Sequence, residues 1–370
     1  MTAERVLVVN AGSSSLKLSL IDDRDMLVAM EETSIADAAQ ADAGTRRLID
    51  SSGPVDAVGH RIVHGGTDFI EPVLLDEHTL ARIRALTDLA PLHQPKSLHG
   101  VEVVRRVLPD APAVACFDTS FHARMPPEAT TYALPASWRT RWPLRRFGFH
   151  GLSHSWASSR AAALIGEPVD TLRIVTCHLG AGASLCAVDR GRSVDTTMGF
   201  TPLEGLVMAT RSGSVDPGLL LWLQEHAQVP ASDIADVLEH RSGLHGLAGS
   251  SDMRAVLRSA ADGDARATLA IDVYVHRLRA GIAAMAAAMQ GLDVLVFTGG
   301  IGEGSAAIRA GAAAGLAFLG VYVDAARNRE MQADGDVGEA GAPVRTLVVT
   351  AREDLEIAAG VRTVLAGRSA

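Results

Sequence analysis

One pattern occurs twice in this 370-residue chain: a short apolar run, a tight turn of small polar residues, and a returning run. In the first copy Arg5–Asn10 (RVLVVN) is continuously apolar, Ala11–Ser15 (AGSSS) is the turn, and Leu16–Asp22 (LKLSLID) alternates with period two. Such runs, bounded by Gly and Ser, are the pattern of buried strands joined by a hairpin. The second copy reads Arg173–His178 (RIVTCH), Leu179–Ser184 (LGAGAS) and Leu185–Asp189. Met26–Met30 and Arg192–Thr196 supply a third strand to each copy. Val55–Val63 and Ala113–Phe117 extend the first, Asp293–Thr298 and Val344–Thr350 the second. A Gly pair follows each fourth strand (Gly65-Gly66, Gly299-Gly300), and an acid follows each last one (Asp118, Glu353). The copies lie about 168 positions apart. They predict a duplicated α/β domain with a cleft between the copies.

Helical spacing fills the intervals, as in Leu98, Val101, Val104 and Leu108. Asp216-Pro217 reads as an N-cap acid with proline in the first turn, and Gly263–Gln290 as a long Ala-rich helix. A chain of this length exceeds what one core organises. Two lobes are therefore expected: residues 1–148, rejoined by a final helix at 354–370, and residues 149–353. They meet near Arg145–His150 without a Pro-rich linker. Only 4% of residues are aromatic, so the core must be aliphatic. A net charge of −9 lacks the basic footprint that nucleic acid requires. Cys116, Cys177 and Cys186 are too few and too irregular for a disulfide scaffold or a metal site, and sit in apolar runs as buried hydrophobes. The chain enters a strand almost at once, and Gln290 and Asp293 interrupt its softest stretch, Gly281–Phe297. A soluble cytoplasmic protein without membrane contact is expected.

The P-loop, the protein-kinase HRD loop, the HExxH zinc motif and the GxSxG elbow are all absent. Three turns of small residues follow strands instead. They are Asn10–Ser15 with Lys17 beyond it, His178–Ser184 around Gly180 and Gly182, and Gly299–Gly304 (GGIGEG), which leads into a helix. Small residues let backbone N–H groups approach phosphate oxygens closely. Any one of these is an ordinary hairpin turn; three in corresponding places point to phosphate binding. Arg61 in GHRIVHGG, Arg211 in ATRSGS, His150 in FGFHG, His93 in PLHQP and His178 cluster around such turns, as anion-binding groups do. Asp118 in ACFDTSF and Glu353 in ARED follow buried strands, where acids can hold Mg²⁺ directly or through water. Glu353 has a plainer reading as an acid favouring the N-terminus of the last helix.

Together these segments resemble the acetate kinase family, of the ribonuclease H-like superfamily shared with sugar kinases, Hsp70 and actin. The resemblance rests on VLVVNAGSSSLKLSLID, GHRIVHGG, APLHQP, CFDTSFH, RRFGFHGLSH, CHLGAGAS, MGFTPLEGLVMATRSG, SSDMR, FTGGIGE and ARED, which span Val6 to Glu353. It implies a reversible transfer of the ATP γ-phosphoryl group to acetate, giving acetyl phosphate and ADP, by a homodimer contacting through its second lobe. Asn10, Ser13, Ser15 and Lys17 would line the phosphate end. Arg61 and Arg211 would grip the carboxylate and the phosphoryl group in transit. His150 would stabilise the transferred group, with His178, Gly180 and Gly182 on the nucleotide phosphates. Asp118 and Glu353, joined by Asn10, would position Mg²⁺ or Mn²⁺. Asp252, Met253, Arg254 and Gly300, Ile301, Gly302 and Glu303 would carry the adenosine. Val63, Leu92, Phe149 and Pro202 match the pocket for the acetate methyl. The chain departs from the family pattern at Ala181, Ser214, Met253, Gly304 and Arg352. Three of these (Ala181, Met253 and Gly304) fall on the nucleotide side, so the donor is less fixed than the acceptor. The rival within the class is a propionate or butyrate kinase. From another class comes an ATP-driven switch of the Hsp70 or actin kind, in which Arg61 and Arg211 would have no purpose.

Overall fold

A computed structural model describes residues 3–12, 15–34 and 37–367. The strand pattern resolves into two six-stranded mixed sheets. The first holds β1 (Val6–Ala11), β2 (Ser15–Ile21), β3 (Leu27–Ser34), β4 (Ala57–Ile62), β5 (Val73–Leu74) and β6 (Ala113–Phe117). The second holds β7 (Arg173–Leu179), β8 (Ala183–Asp189), β9 (Arg192–Thr196), β10 (Val294–Thr298), β11 (Gly335–Asp336) and β12 (Arg345–Val348). Their orders are β3-β2-β1-β4-β6-β5 and β11-β12-β10-β7-β8-β9, the same arrangement read from opposite edges. In each, the first three strands form an antiparallel meander. The first, fourth and last long strands then run parallel, and a two-residue antiparallel strand closes the edge. The duplicated α/β order expected from the sequence is therefore present. The two edge strands were not anticipated, being too short to show a period.

The chain divides into two compact units. The first comprises Met1–Ala123, Phe149–Trp156 and Arg352–Ala370; the second comprises Arg124–Gly148 and Ala157–Ala351. In the first unit, strand alternation sorts the core into two layers. Leu7, Val9, Val58, Ile62, Ala115 and Phe117 face one way, toward Ala41, Leu48, Val101 and Val104 of the helices Ala38–Ser52 and Gln94–Val107. Val6, Val8, Ala57, Val114 and Cys116 face the other, toward Ile357, Ala358, Val361 and Leu365 of the helix Glu353–Ala366. That helix lies so close that a Cβ at Gly59 would stand 2.5 Å from the Ile357 side chain. The second unit is threaded by the long helix Ala265–Ala288, which buries Ala267, Ala270, Leu278 and Ile282. The helix Pro217–Glu225 starts at the expected cap, where Asp216 accepts from the Gly218 N–H. All three cysteines are buried thiols, none of them in a disulfide. Among the described residues no helix is long and apolar enough to cross a membrane.

His60 sits in the middle of β4, opposite Val9 and Ala115, and neither ring nitrogen has a hydrogen-bond partner among the described residues. Burial, helped by the Arg105 charge, pushes its imidazole down to about 3. Burial also pushes His64 and His122, in the same unit, down to about 4. An unfolded histidine takes up its proton near pH 6.5, so between that value and the folded ones the unfolded chain binds more protons. Stability is thus complete above about pH 6.5 and falls as the pH drops, by about 1.4 kcal/mol per unit for each fully differential proton. Urea denaturation at pH 7 and pH 5 should show this loss, and His60→Leu should make it smaller. An equal acid loss in His60→Leu would remove His60 from the account.

Candidate active site

In the first unit four of the sequence-selected residues converge. Arg61 is placed by β4 on the same face as Gly59, and Asp118 follows β6. The Arg61 guanidinium donates from Nε to Asp118 Oδ1 at 2.8 Å and from Nη2 to Oδ2 at 2.6 Å. Its Nη1 donates to Asn10 Oδ1 at 3.1 Å, at the end of β1. Asn10 Nδ2 in turn donates to Glu353 Oε2 at 3.4 Å, and that oxygen lies 3.9 Å from Arg61 Nε. Asp118 is 1% exposed. Burial raises its carboxyl, Arg61 opposes the rise, and the Glu353 carboxylate adds to it. Burial alone would lower Arg61; the Asp118 and Glu353 carboxylates more than reverse this and hold it above its ordinary value. The oxygens of Asp118, Glu353 and Asn10 are hard donors of the kind Mg²⁺ takes, in a small set that leaves room for water and phosphate oxygens. Among the described residues no group of three His, Cys, Asp or Glu could hold a metal ion by itself.

His150 belongs to the same unit and takes a left-handed backbone, φ 57°. Phe149 beside it is buried, and its ring meets that of His64 edge-on at 5.5 Å. Val63 is buried just beyond β4, whereas Leu92 is 44% exposed. Lys17 stands on β2 opposite Asn10 and Glu32, exposed, and Ser15 opens that strand with its carbonyl accepting from the Gly12 N–H. Ser13 lies outside the described residues.

The second unit arranges the rest. Arg211 Nε lies 3.2 Å from Glu239 Oε2, and Nη1 donates to the Pro202 carbonyl at 3.2 Å. Burial lowers this guanidinium, against the Glu239 charge. The stretch carrying Pro202 is tied down at both ends. Arg146 donates to the carbonyls of Thr196, Thr197 and Met198 and to Glu204, while the Tyr132 hydroxyl donates to Glu204 at 2.6 Å. His178, next to last in β7, lies between Ser184 and Thr298, and the following turn closes through Gly180 N–H to the Gly182 carbonyl at 2.9 Å. Ala181 accepts from the Ala209 N–H, linking that turn to the Arg211 segment. Gly299–Gly304 was expected as a turn leading into a helix; it is itself a helical turn, and Ser305 caps the next helix, Ala306–Ala314. Glu303 Oε1 accepts from the Gly299 and Ala351 N–H groups, joining the ends of β10 and β12. Asp252 caps the helix Met253–Ala261 by accepting from the Arg254 N–H. Met253 is buried there, and Arg254 is exposed.

A profile of the acetokinase family matches residues 28–359. The chain belongs to that family. The acetate kinase of Heliobacterium modesticaldum is 42% identical over 396 residues, covering 98% of this chain and all of that one. That of Nostoc punctiforme is 47% identical over 316 residues, or 85% of this chain and 78% of that one. Among solved structures, Porphyromonas gingivalis acetate kinase superposes with a TM-score of 0.90 at 35% identity, covering 98% of this chain and 100% of that one. A propionate kinase from Francisella tularensis follows at 0.89 and 33%, covering 97% and 99%. The acetokinase fold expected from the sequence is thereby established.

Sequence reasoning did not single out several side chains that hold this acetokinase framework. Arg309 is the largest: it is 1% exposed, pairs with no carboxylate among the described residues, and donates to the Gly302 and Glu303 carbonyls and to both oxygens of Asn328. A single charge in an otherwise Ala- and Gly-rich helix (AAIRAGAAA) was its only signal. Glu239, Arg146, Tyr132 and Glu204 were also missed, because their partners lie far away along the chain. Arg309→Met would strand four acceptors in a dry interior and should cost about 3 kcal/mol. Urea unfolding measures this; an unchanged midpoint would show that the carbonyls find other donors.

Proposed function

We propose that this chain acts as its family does, as an acetate kinase: a phosphotransferase that moves the γ-phosphoryl group of ATP reversibly onto the carboxylate of acetate. The observation that carries the residue assignments is the Arg61–Asp118–Asn10–Glu353 cluster, a charged group at strand ends in which Asp118 is buried and the other three are partly exposed. A carboxylate has a pKa near ~4.3, so the acceptor is already ionised at neutral pH and needs no general base. The obstacle is bringing one anion in line with a polyanion, which positive groups solve by neutralising oxygens and fixing geometry.

On the first unit Arg61 supplies a guanidinium whose charge is secured by Asp118 and Glu353, suited to carboxylate or phosphoryl oxygens. His150 contributes an imidazole to the group in transit, and Val63, Leu92 and Phe149 an apolar wall for the methyl. Asn10, Ser13, Ser15 and Lys17 serve the phosphates. Asp118, Asn10 and Glu353 would hold Mg²⁺, whose charge offsets that of the phosphate oxygens when bound. On the second unit Arg211 is the other cation, with Pro202 beside it. His178, Gly180 and Gly182 offer donors to the nucleotide phosphates, and Asp252, Met253, Arg254 and Gly300–Glu303 take the nucleoside. Buried cysteines outside any disulfide and the need for ATP fit a cytoplasmic setting.

A second acceptor belongs in the test, because the propionate kinase superposes almost as well as the acetate kinase. One methylene is worth ~1–3 kcal/mol in such a pocket, so propionate should be used less well than acetate. A hydroxamate assay for acyl phosphate with ATP and Mg²⁺, comparing acetate, propionate and butyrate, decides this. Arg61→Ala and Arg211→Ala should each lower turnover by about 10²-fold or more, and chelation of the metal should abolish it. Near-normal turnover in either variant would count against the assignment.

The second unit also exposes Leu219, Leu221 and Trp222 on the helix Pro217–Glu225, which buries no residue. Exposed large apolar side chains gathered on one short helix mark an association surface, and a second copy of this chain is the occupant we assign. Light scattering after gel filtration should give a dimer, and Trp222→Glu a monomer. A parent protein that runs as a monomer would end this part of the proposal.

A further inference from the structure

His150 is one of five described non-glycine residues with positive φ, at 57°. An L residue there costs about 1 kcal/mol or more, so its neighbours must hold the turn. Three hydrogen bonds are among those that do so. The Gly151 N–H donates to the Asp118 carbonyl at 2.8 Å, and the His154 N–H donates to the His150 carbonyl at 2.9 Å. The third reaches the peptide immediately before His150: the Phe149 carbonyl lies 3.0 Å from His122 Nε2. The fit at the first is tight, since a Cβ at Gly151 would stand 2.3 Å from the Asp118 oxygen.

Of the three, only the His122 bond comes from a side chain. A carbonyl oxygen can only accept, so Nε2 carries the proton. His122 closes the turn Ser120–His122 just after Asp118 and is wholly buried. Its ring packs edge-on against Phe121 and His154, each at 5.7 Å. Burial keeps this imidazole neutral at working pH, so it serves as a fixed donor. The segments Asp118–His122 and Phe149–Gly151 are thus clasped by one backbone and one side-chain bond, with the strained residue between them.

We propose that His122 is a positioning residue: its Nε2–H bond to the Phe149 carbonyl holds the left-handed turn at His150 and sets the direction in which that imidazole is presented. The consequence for turnover rests on the acetate kinase reading of His150; the consequence for the backbone does not.

The test compares His122→Gln with His122→Met, two side chains of similar length of which only glutamine has an N–H to give. Turnover is measured by the hydroxamate assay, and backbone protection by hydrogen exchange across residues 149–154. The Met variant should lose about tenfold or more in kcat with KM for ATP within about twofold. Its Gly151 amide should exchange about tenfold faster. The Gln variant should recover both to near the parent level. Parent-like turnover and exchange in His122→Met would overturn the proposal, as would equal losses in both variants. It would also fail if the Met variant unfolds while the Gln variant does not, because the donor would then serve the fold at large. Full activity in His150→Ala would sink the acetate kinase role of His150, leaving the exchange measurement to decide on His122.

Discussion

Much of the first unit depends on how closely the helix Glu353–Ala366 lies over its sheet. Only a glycine at position 59 permits that approach, and the helix completes a whole core layer with Ile357, Ala358, Val361 and Leu365. Because β-strand side chains alternate, Arg61 lies on the same face as Gly59, two residues along. The first acid of the helix, Glu353, therefore meets Arg61 and Asn10 at the strand ends. The missing Cβ at Gly59 thus decides whether the charged cluster has its second carboxylate.

The cluster shows how such charge is tolerated. A buried ion pair gains little net stability, because desolvation offsets attraction, but removing one member is costly. Asp118 receives two bonds from one guanidinium, the geometry in which Arg–carboxylate attraction is strongest. The second unit handles buried charge differently. Arg309 is satisfied by carbonyl and amide oxygens, so it fixes the Gly-rich turn through neutral acceptors rather than an ion pair.

The duplicated strand order was legible because buried parallel strands are apolar along their whole length. Ala113–Phe117 is bounded in the structure as it is in the sequence, and so is the antiparallel edge strand Arg192–Thr196, which its turn residues delimit instead. Val55–Val63 and Val344–Thr350 shrink to Ala57–Ile62 and Arg345–Val348, since apolar residues continue past the last ladder bond. Val73–Leu74 and Gly335–Asp336 left no trace, as two residues carry no period. Arg61, Asp118 and Glu353 could each be suspected from an isolated charge at the end of an apolar run. That Asp118 and Glu353 share Arg61 could not, because pairing across 57 residues is set by sheet order. The role of His122 was hidden for the same reason: a histidine in CFDTSFH looks like any core residue until the Phe149 carbonyl is placed beside it.

The first unit is discontinuous in sequence, and this bears on how the protein is made. Its sheet is laid down by residue 117, yet one of its two core layers waits for residues 353–366. Contacts spanning most of the chain form late and slowly, since a long loop must close before they reward it. On a ribosome, nearly all of the second unit emerges while Val6, Val8, Val114 and Cys116 still lack their cover. Those strands form an apolar face of the sort that invites misassembly. The burial of the first strands therefore waits on the helix Glu353–Ala366.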